Sequence, residues 1–402
     1  MISTNGWSQI KILFDATKAE MAGNADWIVD ADAHNIYFSM STHLPYASTG
    51  SSGASNPQRF PTPAQSGITS TTTEDYWQGA LSYWAVDCAK QGYTVESLPF
   101  NGQITYGVTS NVQDLSHYNV FVVTEPNMLF SNTEKDAIVN FVKAGGGLMM
   151  IADHTVSDRN NDGYDSLMVW NDLLSTNNIQ TDPFGLAFDT ADFNQTSTNV
   201  ANLPTNPILH GPKGNVTRAQ WSGGTTMTLN TTSNSSVKGL IFKTGSSATG
   251  TTNVMVAQAT FFAGKVVAIG DSSIPDDGTG DTGDTLYDGY IADANGNHQI
   301  LLMNAIIWLT TPFLGTNEVD ASATQLHVAP NPIQNKQLKV FYQTPSFEPT
   351  PISIYDAQGR MIQQAMLNES IQNIDCSSLS SGIYFGKVAS NGTTQTIKFI
   401  VE

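Results

Sequence analysis

The sequence has little positive charge. Its 17 Lys and Arg residues stand against 35 Asp and Glu residues, and the formal net charge is −18. Because proteins bind a phosphate backbone through a basic surface, this balance argues against a DNA- or RNA-binding protein. Charged residues make up only 13% of the chain. Few charges with an acidic balance are typical of secreted bacterial proteins, and we expect no nucleic-acid partner.

Cysteines and long apolar runs are also scarce. The two cysteines, Cys88 and Cys376, fall in different predicted domains, which argues against a disulfide and excludes a cysteine-based metal site. No run of 18 or more apolar residues is present, so no membrane span is predicted. The residues after Met1 are polar and do not form a signal peptide. If the protein is exported, we expect that peptide to have been removed.

The end of the chain is predicted to be a small β-sandwich. Residues 311–323 are polar and aperiodic and are predicted to be a linker between a domain at 8–310 and a second at 324–402. Short alternating runs follow the linker: Leu326–Val328, Leu338–Tyr342, Ile352–Tyr355, Ile383–Val388 and Thr396–Val401. Pro, Gly, Asn and Ser turns separate them, which is the pattern of a sandwich.

Four motifs in this C-terminal domain occur in order up to the last residue. They are Ala329–Pro332, Ile354–Arg360, Leu379–Phe385 and Lys398–Glu402. Together they resemble the C-terminal sorting domain of the type IX secretion system of Bacteroidetes. The alternative is an unrelated immunoglobulin-like or carbohydrate-binding sandwich. The resemblance implies that the secretion machinery is a partner, that the protein is secreted or attached to the cell surface, and that this domain is not catalytic.

The preceding 8–310 segment is predicted to be an α/β domain with a doubly wound, mostly parallel sheet. Its continuous apolar runs suit strands buried on both faces: Ile10–Phe14, Tyr118–Val123, Gly147–Ala152 and Lys265–Gly270. Glu74–Lys90 and Asn132–Ala144 are predicted helices, the second with a capping box. Short alternating runs within 180–260 are expected to add antiparallel strands at the sheet edge.

The order of these pieces also resembles a known superfamily. The segments 119–125, 143–154, 206–216, 264–273 and 297–309 are similar to class I glutamine-amidotransferase-like domains, especially the GIFT and ThuA-like branch. The resemblance implies a flavodoxin- or amidotransferase-like fold. It does not imply amidotransferase activity, because the nucleophilic Cys on a strand–helix elbow is missing and Cys88 lies inside a predicted helix.

Four predicted strands end in an acid: Asp15, Glu125, Asp153 and Asp271. Since parallel strands about 4.8 Å apart end at one edge of a sheet, these carboxylates are expected to share a pocket as acid, base or nucleophile. His154, directly after Asp153, is a further general acid/base candidate. Each acid alone could instead be a helix cap or a turn former.

A loop beyond Asp153 resembles the start of an EF-hand calcium loop. Oxygen ligands at positions 1, 3 and 5 and glycine at position 6 are Asp158, Asn160, Asp162 and Gly163. Val169 replaces the Glu expected at position 12, so the missing ligand would come from Asp153, Asp165 or Asp172. The sequence thus predicts a Ca²⁺ site here. The alternative is an Asx-rich turn whose side chains bind their own backbone.

A second acidic loop follows Asp271. Asp276 and Asp277 begin it among glycines, and it is predicted either to be solvated or to be ordered by a cation. This loop and residues 22–27 are expected to cover the pocket. Aromatic side chains in or near loops could provide a sugar-binding platform: Trp27, Tyr164, Trp170 and Tyr287.

Taken together, these patterns predict a secreted, cation-dependent hydrolase acting on extracellular polysaccharide. Cleavage of a glycosidic bond is favoured, because unpaired carboxylates would repel a phosphodiester in the absence of metal ions. Two other classes remain open. One is a non-catalytic, calcium-dependent glycan-binding surface protein, and the other is a structural surface protein.

Overall fold

The computed structural model describes residues 9–22, 25–30, 36–47, 61, 63–280, 287–311, 325–328, 331–333, 335–343, 348–390 and 393–401. The chain divides into two compact units, Met1–Gly315 and Thr316–Glu402, called unit 1 and unit 2 below. Each unit has its own hydrophobic core.

Unit 1 combines strands and helices. Its strands are β1 Lys11–Asp15, β2 Met21–Ala22, β3 Ala25–Asp26, β4 Ile36–Phe38, β5 Pro45–Ala47, β6 Thr94–Leu98, β7 Val120–Thr124, β8 Gly147–Ile151, β9 Leu186–Phe188, β10 Phe193–Ser197, β11 Asn199–Val200, β12 His210–Gly211, β13 Gly214–Asn215, β14 Ala219–Gly224, β15 Met227–Leu229, β16 Lys238–Phe242, β17 Val254–Phe261 and β18 Gly264–Ile269. Its helices are α1 Ser82–Lys90, α2 Asn132–Lys143, α3 Ser166–Thr176 and α4 His298–Thr310, with 3₁₀ turns at Glu74–Tyr76 and Leu115–His117.

The centre of unit 1 is a parallel sheet in the order β6-β1-β7-β8-β18. All residues of β7, β8 and β18 are buried, as expected for strands covered on both faces. The strand at Lys265 pairs with Gly147 in parallel register, so the prediction that this strand joins a parallel sheet is confirmed. The chain order reverses at β1, which lies between β6 and β7.

Antiparallel strands extend the sheet beyond β18. β17 pairs with β18, β16 with β17, and β11 with β16, while β15 and β9 continue from β17. The sheet is therefore mixed, and the predicted antiparallel additions from residues 180–260 are confirmed.

Helices cover both faces of the sheet. Gly147 faces Leu309 of α4, and its partner Lys265 binds carbonyls at the end of that helix. Gly264, the next residue along β18 and thus on the opposite face, approaches the Val142 carbonyl of α2. α2 begins with the predicted capping box of Ser131 and Glu134.

Two helices differ from the sequence prediction. The predicted helix Glu74–Lys90 is a 3₁₀ turn followed by α1, which starts only at Ser82. Gly79 between them has φ +124°, a conformation that interrupts a helix. α3 was not predicted. Its N-cap is Asp165, whose side chain accepts a hydrogen bond from the Met168 amide.

Unit 2 is built from antiparallel strands. They are β19 Gln325–Val328, β20 Gln337–Gln343, β21 Thr350–Asp356, β22 Met361–Leu367, β23 Ile371–Asp375, β24 Gly382–Ser390 and β25 Thr393–Val401. β19, β20 and β23 form one sheet, and β22, β21, β24 and β25 form the other. Leu338 and Tyr342 of one sheet share a core with Ile354 and Phe399 of the other, which gives a sandwich.

Two further observations bear on the exclusions made from composition. Cys88 and Cys376 are buried free thiols. Among the described residues, no helix has the length and apolar character needed to cross a membrane.

Candidate functional site

Three acids meet where β7, β8 and β18 end. Thr124 pairs with Ile151, and Ile151 pairs with Ile269, so Glu125, Asp153 and Asp271 leave adjacent strands at nearly the same level. Adjacent strands lie about 4.8 Å apart. We call these three residues, together with Arg159, the acid cluster.

Glu125 is the central member of the acid cluster and is fully buried. Its Oε2 accepts hydrogen bonds from Trp27 Nε1 at 2.8 Å and Ser272 Oγ at 2.7 Å. Its Oε1 accepts one from Arg159 Nε at 2.8 Å. The backbone of Glu125 has φ +49°, a left-handed conformation that is uncommon outside glycine and concentrates at functional sites.

Asp153 lies beside Glu125 and shares its arginine. Arg159 Nη2 donates to Asp153 Oδ2 at 2.7 Å, so the guanidinium bridges the two acids. The pKa of Asp153 is nevertheless raised well above its usual value, first by burial and then by the charges of Glu125 and Asp271. The guanidinium pairs with two carboxyl groups, and the charge of a third, Asp271, also acts on Asp153. Excess negative charge of this kind favours retention of a proton.

Asp271 is held on the other side by backbone and hydroxyl donors. Its Oδ2 accepts from the Ser222 amide at 2.6 Å, and its Oδ1 accepts from the amide and the hydroxyl of Ser273. Burial nevertheless raises the pKa of Asp271 to about 7. Protonated and ionised forms are therefore both populated near neutral pH, the property required of a general acid or base.

His154 joins the buried acids to the protein surface. Its Nε2 lies 3.4 Å from Asp153 Oδ2, its Nδ1 lies 3.9 Å from Asp192 Oδ2, and 26% of its side chain is exposed. Gly223, at φ +78°, packs against this ring, and a side chain there would crowd it. The structure therefore brings Glu125, Asp153, His154 and Asp271 together, as the sequence predicted.

The buried side-chain amide of Asn127 holds the backbone of the acid cluster in place. Asn127 Nδ2 donates to the carbonyls of Ala19 and Glu125, and its Oδ1 accepts from the Arg159 amide. The Asn127 amide in turn donates to the Lys18 carbonyl. One side chain thereby fixes the backbone of both the acid and the arginine, a role that no sequence motif had indicated.

Asp15 lies in a different arrangement from the other strand-end acids. It accepts hydrogen bonds from the amide and hydroxyl of Thr17, and its carboxyl group lies beside that of the fully buried Glu20. The pKa of Glu20 is raised well above its usual value by burial and by the charge of Asp15. Asp15 thus forms a carboxyl pair with Glu20, and the predicted convergence of five residues holds for the other four.

The loop predicted to bind calcium largely satisfies its own backbone. Asp158 accepts from the amides of Asp162 and Gly163, and Asp162 accepts from the Tyr164 amide. Asp165 caps α3 and also accepts from the Val156 amide. These are the hydrogen bonds of an Asx-rich turn.

Asn160 is the exception in this loop. Its Nδ2 donates to the His43 carbonyl, while its buried Oδ1 has no hydrogen-bond partner. Over the parts of the chain that the structure describes, no group of three or more His, Cys, Asp or Glu residues could hold a metal ion.

Asp276 and Asp277 are buried and organise the second acidic loop. Asp276 accepts from the amides of Gly278 and Tyr287, and Asp277 accepts from those of Tyr83 and Thr279. Burial raises the pKa of Asp277 to about 7. Residues 281–286 of this loop, and Gly23 and Asn24 of the other predicted cover, lie outside the described residues.

The predicted aromatic platform is only partly available to a ligand. Trp170 is fully buried, donates to the Ile151 carbonyl and packs on Phe130, so its assignment to substrate binding was wrong. Trp27 is buried as well and donates to Glu125, so its assignment to substrate binding was also wrong. Tyr164 is 40% exposed. Tyr287 is half-buried, and its pKa is raised first by burial, then by its hydrogen bond to Asp293, with a smaller contribution from the charge of Asp271.

Comparison with known proteins identifies the C-terminal part of the chain. Residues 327–402 match the family model of the secretion system C-terminal sorting domain. The predicted type IX sorting domain is therefore confirmed. It implies interaction with the type IX secretion machinery, and hence a Bacteroidetes protein that is secreted and attached to the cell surface.

The comparisons are less informative about unit 1. A structure described as the mmIFT52 N-terminal domain is similar at 12% identity, covering 76% of this chain and 100% of that chain, with a TM-score of 0.39. A structure of PorZ, a surface component of the type IX secretion system of Porphyromonas gingivalis, matches at 18% identity over 19% of this chain and 11% of that chain, with a TM-score of 0.17. No curated protein sequence matches the chain.

Proposed function

We propose that unit 1 is a secreted hydrolase of extracellular polysaccharide and that the acid cluster carries out its acid–base chemistry. The observation that supports this most is the pair Asp153 and Asp271, which lie on adjacent strand ends and both have raised pKa values. Glycoside hydrolysis needs two carboxyl groups, one protonated and one ionised. Such a pair supplies both near pH 7.

In this proposal, Asp153 is the general acid and protonates the oxygen of the leaving group. Asp271 is the second carboxylate and acts as base or nucleophile. His154, partly exposed and next to Asp153, returns the proton from solvent. Arg159 and Glu125 are positioning residues, because Arg159 donates to the carboxyl group of Asp153 and Glu125 in turn holds the Arg159 guanidinium.

The surroundings of the cluster suit a sugar chain. Tyr164 offers a ring that is 40% exposed. Tyr287 is a partly exposed side chain near Asp271. Its hydroxyl donates to Asp293 and accepts from Gln220. Aromatic rings pack well on the apolar faces of sugars, and their hydroxyl groups bind polar edges.

The topology is consistent with the resemblance found in the sequence. Numbered along the chain, the parallel strands have the order 2-1-3-4-5, which is that of flavodoxin-like folds. Ligands in such folds bind beyond the carboxyl ends of the strands, the edge that holds the acid cluster. We therefore propose for unit 1 a flavodoxin-like fold of the amidotransferase-like type. This assignment does not include amidotransferase activity.

We also propose that the loop Asp158–Asp165 binds Ca²⁺. The buried Asn160 Oδ1 without a partner supports this, because an unsatisfied buried oxygen is costly and calcium prefers oxygen ligands. Asp158 and Asp162 would supply carboxylate oxygens. Calcium would hold the loop that carries Arg159 and would take no part in bond cleavage.

The test is a screen for new reducing ends with a panel of polysaccharides, using the full chain with added calcium and with chelator. The proposal expects the wild type to cleave at least one polymer and Asp153→Asn to leave it intact. Asp114→Asn is the matched control, since Asp114 is a buried acid in the loop that enters β7, at the opposite end of that strand. If no polymer yields products, the hydrolase proposal fails.

The second candidate is a non-catalytic, calcium-dependent glycan-binding surface protein. It is favoured by the hydrogen bonds that occupy Asp158, Asp165, Asp276 and Asp277, because these acids order loops without doing chemistry. Binding of a polymer that is never cleaved, with equal affinity for wild type and Asp153→Asn, would support it.

A further inference from the structure

Unit 1 has a cavity of about 440 Å³ that shares no lining residue with the acid cluster. The 3₁₀ turn at Glu74, the end of α1, the β12–β13 hairpin and the start of α4 surround it. Its volume falls within the range of small-molecule sites. Neither the proposed chemistry nor the calcium loop uses this cavity.

One wall of the cavity is a fixed set of charges. Asp87 Oδ2 accepts hydrogen bonds from Tyr290 Oη at 2.8 Å and Gln299 Nε2 at 2.7 Å. Lys90 Nζ lies 3.2 Å from Asp87 Oδ1 and also pairs with Glu74. Because these groups hold one another in place, the wall presents donors and acceptors in fixed positions and loses little entropy on binding.

Another part of the lining is the tip of a braced hairpin. Asn304 of α4, fully buried, donates to the carbonyls of Ile208 and Gly214 and accepts from the Lys213 amide. Gly211 packs so closely on Asn304 that a Cβ atom would collide with its side chain. The hairpin is thereby fixed to the helix, and the exposed Lys213 lines the cavity from its tip.

The cavity lining carries equal numbers of acidic and basic side chains. Glu74 and Asp87 oppose Lys90 and Lys213, so an anionic ligand would meet two carboxylates and a cationic ligand would meet two ammonium groups. A hydroxyl group can donate to the first pair and accept from the second. The partly exposed Ile300 of α4 adds an apolar surface.

We propose that this cavity is a second glycan site that binds a neutral sugar unit of one or two rings. The fixed donors and acceptors bind the hydroxyl groups, and Ile300 contacts the apolar face of a ring. The site holds a polymer at a distance from the acid cluster and needs no catalytic activity.

The test is isothermal titration calorimetry of the full chain with neutral disaccharides (maltose, cellobiose and xylobiose) and with digalacturonate as an anionic probe. We expect at least one neutral disaccharide to bind and digalacturonate to bind at least about tenfold more weakly. Ser70→Trp, which places an indole at the rim from an exposed position, should abolish binding. Lys213→Ala should weaken it several-fold.

Matched variants separate this site from the acid cluster. Lys238→Ala removes an equal charge from an exposed position on β16 and should bind like the wild type. Unchanged melting temperatures establish that Ser70→Trp and Lys213→Ala are folded. The proposal is overturned if no neutral disaccharide binds, if digalacturonate binds as tightly as the neutral sugars, or if Ser70→Trp binds normally. Loss of binding in Asp153→Asn alone would assign the sugar to the acid cluster and also overturn it.

Discussion

Asp271 provides a quantitative test of the electrostatics of the acid cluster. Burial raises its pKa from 3.8 to about 7, so the folded protein keeps a proton that the unfolded chain releases. For such a group, stability is full at low pH and is lost as the pH rises through the folded-state pKa. The free energy of unfolding therefore falls with pH from the unfolded-state pKa near 4 to a pH just above 7.

The magnitude follows from the width of this window. Between pH 5 and pH 9 the unfolded carboxyl is ionised throughout, while the folded one loses its proton near pH 7. Over the two pH units from 5 to 7, the folded protein holds this proton and the unfolded chain does not. The free energy of unfolding therefore falls by about 3 kcal/mol across this range. Asp271→Asn removes this contribution, because an amide does not titrate. Its difference in stability from the wild type should shift by about 3 kcal/mol in favour of the variant between pH 5 and pH 9.

Urea unfolding followed by tryptophan fluorescence is the appropriate assay. All seven tryptophans lie in unit 1, so the signal reports that unit alone. Asn cannot accept both sets of hydrogen bonds made to Asp271, so a constant offset at every pH is expected as well. Asp114→Asn is the control: hydrogen bonds lower the pKa of Asp114, and its effect should not change across this range. If the difference in unfolding free energy between wild type and Asp271→Asn is the same at pH 5 and pH 9, the raised pKa of Asp271 is refuted.

Three further predictions address the arginine, the two units and the cation. Arg159→Met leaves two buried acids without their shared partner and should lower the unfolding free energy at pH 7 by about 3 kcal/mol. In calorimetry, Arg360→Met, which breaks a pair whose arginine is exposed, should cost much less. A loss for Arg159→Met no larger than that would contradict the bridge. Deletion of residues 316–402 should leave the tryptophan-detected unfolding of unit 1 unchanged, since each unit has its own core; failure to fold would show one cooperative core. Chelation should lower the melting temperature and calcium should restore it, because a ligand of the folded state stabilises it; metal-free protein with an unmoved melting curve would contradict calcium binding at Asp158–Asp165.

The acid cluster was predictable because its signal is local. Glu125, Asp153 and Asp271 each directly follow a continuous apolar run, and parallel pairing alone then brings them to one edge. Asp15 also ends such a run, but its side chain pairs with Glu20. That contact depends on how the chain turns after β1, which apolar periodicity does not encode.

The residues that the sequence did not assign act through tertiary contacts. Trp170 directly follows the twelve residues that resembled a calcium loop, yet it lies on the buried side of α3. Recognising Asp165 as a helix N-cap would have revealed that helix. Asn127 and Lys213 gain their roles from contacts with residues far along the chain, for which a single sequence offers no signal.

The central claim is that the acid cluster performs acid–base catalysis, and a matched pair of variants tests it most directly. On a polymer that the wild type cleaves, kcat is compared for Asp153→Asn and Asp114→Asn at pH 7, with the melting temperatures of both recorded. Loss of a general acid typically lowers the rate by about 10²- to 10⁴-fold. The account predicts such a loss for Asp153→Asn and near-wild-type turnover for Asp114→Asn. Equal turnover by the two variants would contradict it.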